Sequence, residues 1–104
     1  GNLLVFRKVE RSNGLLNVRI LIENHSEHLQ SFRLHEVLAA QAEGVTPAAK
    51  VISLGDGYDY HWKLSIAPGQ SAALSYSISA EGAILKEPVV EGLDAEIVTG
   101  ARVI

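Results

Sequence analysis

The chain has no cysteine. Disulfides, thiolate nucleophiles and thiolate zinc sites are therefore excluded. The absence fits a reducing compartment. Methionine is missing as well, even at position 1. An intact gene product would begin with one, so the expectation is a single domain over residues 1–104, excised from a larger chain. No apolar run approaches the roughly 18 residues of a membrane span. No signal peptide is visible either, so a cytoplasmic protein with no membrane contact is expected. A cell-surface location is the alternative, since an excised domain would have lost its leader. Basic charge is also scarce. Nine Lys and Arg against twelve Asp and Glu give a net charge of −3, which argues against a dedicated nucleic-acid binder.

What is present is an ordinary globular mixture, 47% hydrophobic and 20% charged, which excludes disorder as the main description. The charge is uneven. Residues 1–52 carry six basic and five acidic side chains, whereas residues 53–104 carry three and seven. The N-terminal half could thus offer a weak basic face, with Arg19 and Arg33 as its candidates. Solvated strand edges and loops account for the same charges more simply.

The dominant hydrophobic period is two, the mark of strands. Leu16, Val18, Ile20 and Ile22 alternate with Asn17, Arg19, Leu21 and Glu23. A strand over Leu3 to Glu10 precedes it, and Asn13-Gly14 between them predicts a hairpin. Phe32 and Leu34 begin a third strand. Residues 35–43 also suit a short helix before Gly44, and a strand followed by a long loop is preferred. Val51 and Leu54 form a short strand ending at Gly55-Asp56-Gly57. From Tyr60 to Ile66, Trp62, Leu64 and Ile66 point inward, and His61, Lys63 and Ser65 outward. Pro68-Gly69 predicts a type II turn. Leu74, Tyr76 and Ile78 then face the core, behind an outer row of Ala73, Ser75, Ser77 and Ser79. A weaker segment lies between Gly82 and Pro88. A last strand runs from Asp94 to Ile104, with a bulge or bend at Gly100. Seven or eight short strands in about 100 residues predict an all-β, two-layer antiparallel sandwich of immunoglobulin or fibronectin type. A small barrel is the competitor.

Candidate chemistry is sparse. His25, His28 and His35 are too loosely spaced, and too short of a fourth ligand, to indicate a metal site. His61 lies on an outward strand face. Asp56 and Asp59 lack the further oxygens and terminal Glu of a calcium loop, so no metal is expected. The serines at strand spacing form no nucleophile elbow, and no Gly-rich phosphate loop exists, so neither catalytic residues nor a cofactor are expected. Tyr58 and Tyr60, beside an inward Trp62, could be exposed as a carbohydrate platform. Asn24-His25-Ser26 is a glycosylation sequon.

The block WKLSIAPGQSAALSYSI, residues 62–78, resembles a recurring segment of immunoglobulin-like modules. VRILIENHSEHLQSFRL is similar to the paired strands that precede it, with Asn24 at the turn. With the opening GNLLVFRKVE and the FRLHEVL segment, the ensemble resembles the C-terminal immunoglobulin-like accessory domain on the B subunit of archaeal DNA topoisomerase VI. The resemblance implies a non-catalytic module. It would dock other domains or subunits of its parent protein, or make weak or indirect nucleic-acid contact. The nucleotide machinery of the B subunit lies in other domains, so the resemblance carries over no functional residue. Fold alone does not decide function, and an extracellular adhesion or spacer module, or a carbohydrate-binding module, is the alternative. The interaction-surface candidates are Arg19, Arg33, Tyr58 and Tyr60.

Overall fold

A computed structural model describes residues 2–81, 83–93 and 95–103. Nine strands follow one another: β1 (Leu3–Ser12), β2 (Leu15–Asn24), β3 (Gln30–Leu38), β4 (Glu43–Thr46), β5 (Lys50–Leu54), β6 (Gly57–Ile66), β7 (Ser71–Ser79), β8 (Val89–Glu91) and β9 (Glu96–Val103). They form two sheets, ordered β4-β7-β2-β1-β9 and β5-β6-β3-β8. The two-layer sandwich expected from period two is therefore present. It has one strand more than the upper expectation, because β4 and β8 are too short to show an alternation. Residues 39–42 connect β3 to β4, with a bend at 39–40, and form no helix. Among the described residues, no helix is long and apolar enough to cross a membrane.

Local chemistry fixes the turns. Asn13 and Gly14 join β1 to β2 with φ of 54° and 75°. Two positive φ values are what a two-residue hairpin with the correct strand twist requires. Gly69 has φ 72°, and the Gln70 N–H donates to the Ala67 carbonyl at 3.1 Å, as the Pro-Gly pair predicts. Gly57 is needed for another reason: a Cβ there would sit 2.5 Å from the Leu38 carbonyl oxygen.

The last strand departs from the expected pattern. β9 pairs with β1 in parallel, whereas the other pairings among the described residues are antiparallel. Its register runs unbroken from Leu4 opposite Glu96 to Arg11 opposite Val103, so Gly100 makes no bulge there. Asp94, Ile104 and Gly82 lie outside the described residues.

The core is the seam between the sheets. Val18, Ile20 and Ile22 of β2 and Leu74, Tyr76 and Ile78 of β7 meet Phe32 and Leu34 of β3 and Trp62 and Ile66 of β6. Leu16 and Leu64, expected in the core, are only partly buried against it. Leu3, Val5, Val9, Leu38 and Tyr60 complete it. Trp62 directs its indole N–H to the Pro47 carbonyl at 2.9 Å, so its one polar group is satisfied.

Three polar side chains also cross this seam. Arg7 on β1, Glu36 on β3 and Tyr76 on β7 are all buried. Arg7 Nη1 donates to Glu36 Oε1 at 2.8 Å and to the Lys86 carbonyl. The Tyr76 hydroxyl donates to Glu36 Oε2. Burial pushes the Glu36 carboxyl above its ordinary value, against the opposing pull of the Tyr76 hydroxyl and Arg7. Burial, reinforced by the Glu36 charge, likewise pushes the Tyr76 hydroxyl up. Arg7 Nε has no protein partner.

A second polar clasp closes one end of the sandwich. The buried Asn24 at the end of β2 donates from Nδ2 to the Ile66 carbonyl of β6 and to the His28 carbonyl, each at 2.8 Å. Its Oδ1 accepts from the Ser26 N–H at 2.9 Å and the Ser26 hydroxyl at 2.6 Å. The sequon asparagine is thus structural, and in the folded chain its amide is not available for a glycan.

Candidate functional site

Among the described residues, the densest accessible cluster of chemically versatile side chains lies on the outer face of the four-stranded sheet. Alternation puts it there. On β3, Phe32, Leu34, Glu36 and Leu38 are buried, so Arg33, His35 and Val37 face out. On β6, Tyr60, Trp62 and Ile66 are buried, so Asp59, His61 and Lys63 share the opposite face. The antiparallel register then sets His35 opposite His61, Arg33 opposite Lys63 and Val37 opposite Asp59. β8 adds Glu91 opposite Arg33.

At the centre, the rings of His35 and His61 lie 5.1 Å apart. His35 Nδ1 is 3.1 and 3.2 Å from the two Asp59 carboxylate oxygens. Its Nε2 is 2.9 Å from Glu91 Oε2. The His35 and Asp59 side chains are only 18% and 19% exposed. His61 Nδ1 is shielded from water and has no hydrogen-bond partner. Beside this cluster, Arg33, Lys63 and Lys50 line an open groove of about 580 Å³ with Pro47 and Trp62. Toward the other end, Val37, Ile52, Leu54, Ile84 and Val89 are exposed. Val37 and Val89 share a shallow pocket with His35 and Glu91. Val37 and Ile84 share a second one. The face thus combines a polar centre, a basic end and an apolar end.

The residues singled out from sequence are scattered. Arg19 is exposed on the outer face of the five-stranded sheet, paired across from Lys8 and Ser75. Arg33 is exposed on the outer face of the four-stranded sheet, so the two do not form one basic face. Tyr60 is buried, and its hydroxyl accepts from the Ala42 N–H at 2.9 Å. Tyr58 is partly buried against the core. Both tyrosines are in phase with Trp62, so the alternation that sends Trp62 inward sends them inward too, which corrects their expected exposure. His25 and His28 are exposed near the end of β2, with His25 Nε2 2.9 Å from Glu23, and they do not join His35. The partnership of His35 with His61 is not legible in the sequence, because it depends on the β3–β6 register. Asp59 belongs to β6, not to a cation loop with Asp56.

Residues 1–99 match the family model of the C-terminal domain of the type 2 DNA topoisomerase 6 B subunit. The chain belongs to that family. Among curated relatives, the type 2 DNA topoisomerase 6 B subunit of Methanococcoides burtonii is 44% identical over the whole chain, which spans 18% of that protein. The B subunit of the Methanosarcina acetivorans enzyme is 41% identical over 98% of the chain, spanning 17% of that protein. That of Archaeoglobus fulgidus is 33% identical over 99%, spanning 16%. The chain therefore corresponds to less than a fifth of these topoisomerase 6 relatives' length. Among solved structures, it resembles part of the GH20 exo β-N-acetylglucosaminidase of Vibrio harveyi. The TM-score is 0.66 with 12% identity, over 97% of this chain and 18% of that one, which is a likeness of fold alone.

Proposed function

We propose that the chain is a non-catalytic docking module of a type 2 DNA topoisomerase and that it binds a protein surface of its own parent enzyme. The docking face is the outer side of the four-stranded sheet. One observation carries this reading: Val37, Ile52, Leu54, Ile84 and Val89 stand exposed at one end of the face, bordered by the polar cluster of His35, Asp59 and Glu91. An apolar patch with a polar rim is the usual make-up of a protein contact. The occupant follows from the relatives, in which more than four fifths of the protein lies outside the matched region. Charge favours protein over DNA. The net charge is −3, and Arg33 on this face is already 3.7 Å from Glu91.

Hydrogen exchange tests the proposal by comparing the isolated chain with the assembled topoisomerase. Protection of β5, β6 and β8 on assembly is expected, together with loss of that protection in Ile52→Glu and Val89→Glu. Unchanged exchange on this face overturns it. Because Arg19 and Arg33 lie on opposite faces, Arg19→Glu and Arg33→Glu made singly separate the DNA reading. A drop in DNA affinity with Arg33→Glu alone, without loss of protection, would replace protein docking by nucleic-acid contact.

A further inference from the structure

We propose that His35, Asp59 and His61 form a binding site for a single zinc ion. The three side chains each offer one donor atom, and these atoms lie within 4.8 Å of one another. Zinc held at about 2.0–2.1 Å from imidazole nitrogen and 2.0–2.2 Å from carboxylate oxygen needs its donors roughly 3.4 Å apart. Small side-chain rotations close that difference without moving the backbone, because all three donors stand on adjacent, directly registered strands.

Two features of the cluster point to a cation. Both ring nitrogens of His35 face carboxylates, Nδ1 toward Asp59 and Nε2 toward Glu91. A neutral imidazole has one N–H, so it can serve only one of them as donor. A metal on Nδ1 leaves the one N–H for Glu91. His61 supplies the second sign. Its Nδ1 is out of reach of water and without a partner, in a place where a buried polar atom normally has one. A metal held between His35, Asp59 and His61 would give the His61 imidazole, otherwise short of a partner, a cation to bind.

The surroundings have the form that zinc sites take. A metal-binding histidine commonly gives its other N–H to a carboxylate, which fixes the tautomer and ring orientation. Glu91 Oε2, 2.9 Å from His35 Nε2, is placed to accept it. Two imidazoles and one carboxylate suit zinc better than magnesium or calcium, which prefer all-oxygen sites. Three protein ligands leave a fourth position for water on the solvent side.

Calorimetric titration of the chain with zinc chloride, in a buffer that does not chelate, tests the site. One ion per chain is expected. His61→Ala and Asp59→Asn should each weaken binding by more than about tenfold, and Glu91→Ala by about tenfold through the lost second bond on His35. NMR of the unmutated chain gives a readout that does not depend on variant folding. Zinc should shift the His35 and His61 imidazole signals and leave those of His25 and His28 in place. No uptake at millimolar zinc overturns the proposal. Uptake that survives His61→Ala, or that moves His25 and His28 instead, overturns it as well. The titration needs no partner, so its failure and that of the docking proposal are separate results.

Discussion

Replacing Arg7 by Met leaves the Glu36 carboxylate buried between the sheets with no cation. Removing one member of a buried ion pair costs about 3–5 kcal/mol, because the remaining charge loses its compensation. The geometry supports the upper part of that range. Arg7 Nη1 holds Glu36 at 2.8 Å, both side chains are at most 3% exposed, and Tyr76 alone remains as a donor to the carboxylate. A chain of this size has a total stability of roughly 5–15 kcal/mol. With a urea slope of about 1.5 kcal/mol per molar, a loss of about 4 kcal/mol lowers the midpoint by roughly 2.7 M. Trp62 is the chain's one tryptophan and is buried, so its fluorescence reports the transition. The triple variant Arg7→Met, Glu36→Leu, Tyr76→Phe removes the charges and their donor together. It should recover to within about 1–2 kcal/mol of the parent, since apolar replacement of a buried pair is often neutral or stabilising. The loss in Arg7→Met should grow as pH rises, because proton uptake by the unpaired Glu36 carboxyl, already raised by burial, relieves it less readily at higher pH. An Arg7→Met midpoint within 0.5 M of the parent would refute the reasoning, as would a triple variant no more stable than the single one.

Four other outcomes follow from this and other contacts of the sandwich. Because burial raises the Glu36 carboxyl in the folded state, that state holds its proton more tightly than the unfolded chain, whose value stays near 4.5. The contribution of Glu36 is therefore greatest below that value and is lost as pH rises through the raised one; the difference in urea stability between the parent and Glu36→Gln should show this slope and then level off. Asn24→Ala removes four hydrogen bonds at one end of the sandwich and should lower stability by about 2–3 kcal/mol in the same assay; the folded parent, offered to an oligosaccharyltransferase, should acquire no glycan at Asn24, and modification of the native chain would contradict its burial. Gly57→Ala drives a methyl group into the Leu38 carbonyl, and a thermal midpoint unchanged within 2 °C would show that the close approach is not rigid.

Much of the sandwich can be read from the sequence because its signals are local. Asn13-Gly14 and Pro68-Gly69 announce their turns through backbone preference, and β2, β6 and β7 announce their faces through alternation. The same alternation also carries the buried polar residues. Arg7 is in phase with Val5 and Val9, Glu36 with Leu34 and Leu38, and Tyr60 with Trp62. A charge at an inward position of an apolar strand therefore signals a buried network, but composition alone classes it as surface. What cannot be read depends on pairing between distant segments. The register that brings His35 to His61, the position of β8 beside β3 and the parallel docking of β9 leave no trace in any short window. The candidate site is made largely of such pairings, which is why its residues stand in the sequence only as isolated histidines and aspartates.

The parallel ladder between β1 and β9 has a mechanical consequence. β1 starts at the end where Leu4 faces Glu96, and β9 finishes at the end where Arg11 faces Val103. Tension applied between the start of β1 and the finish of β9 therefore pulls two hydrogen-bonded neighbours past each other along their length. The evenly spaced bonds of a parallel pair share such a load and must yield together, whereas a hairpin pulled at its open end peels one bond at a time. A module built this way passes force across its own width with little extension until the whole ladder shears.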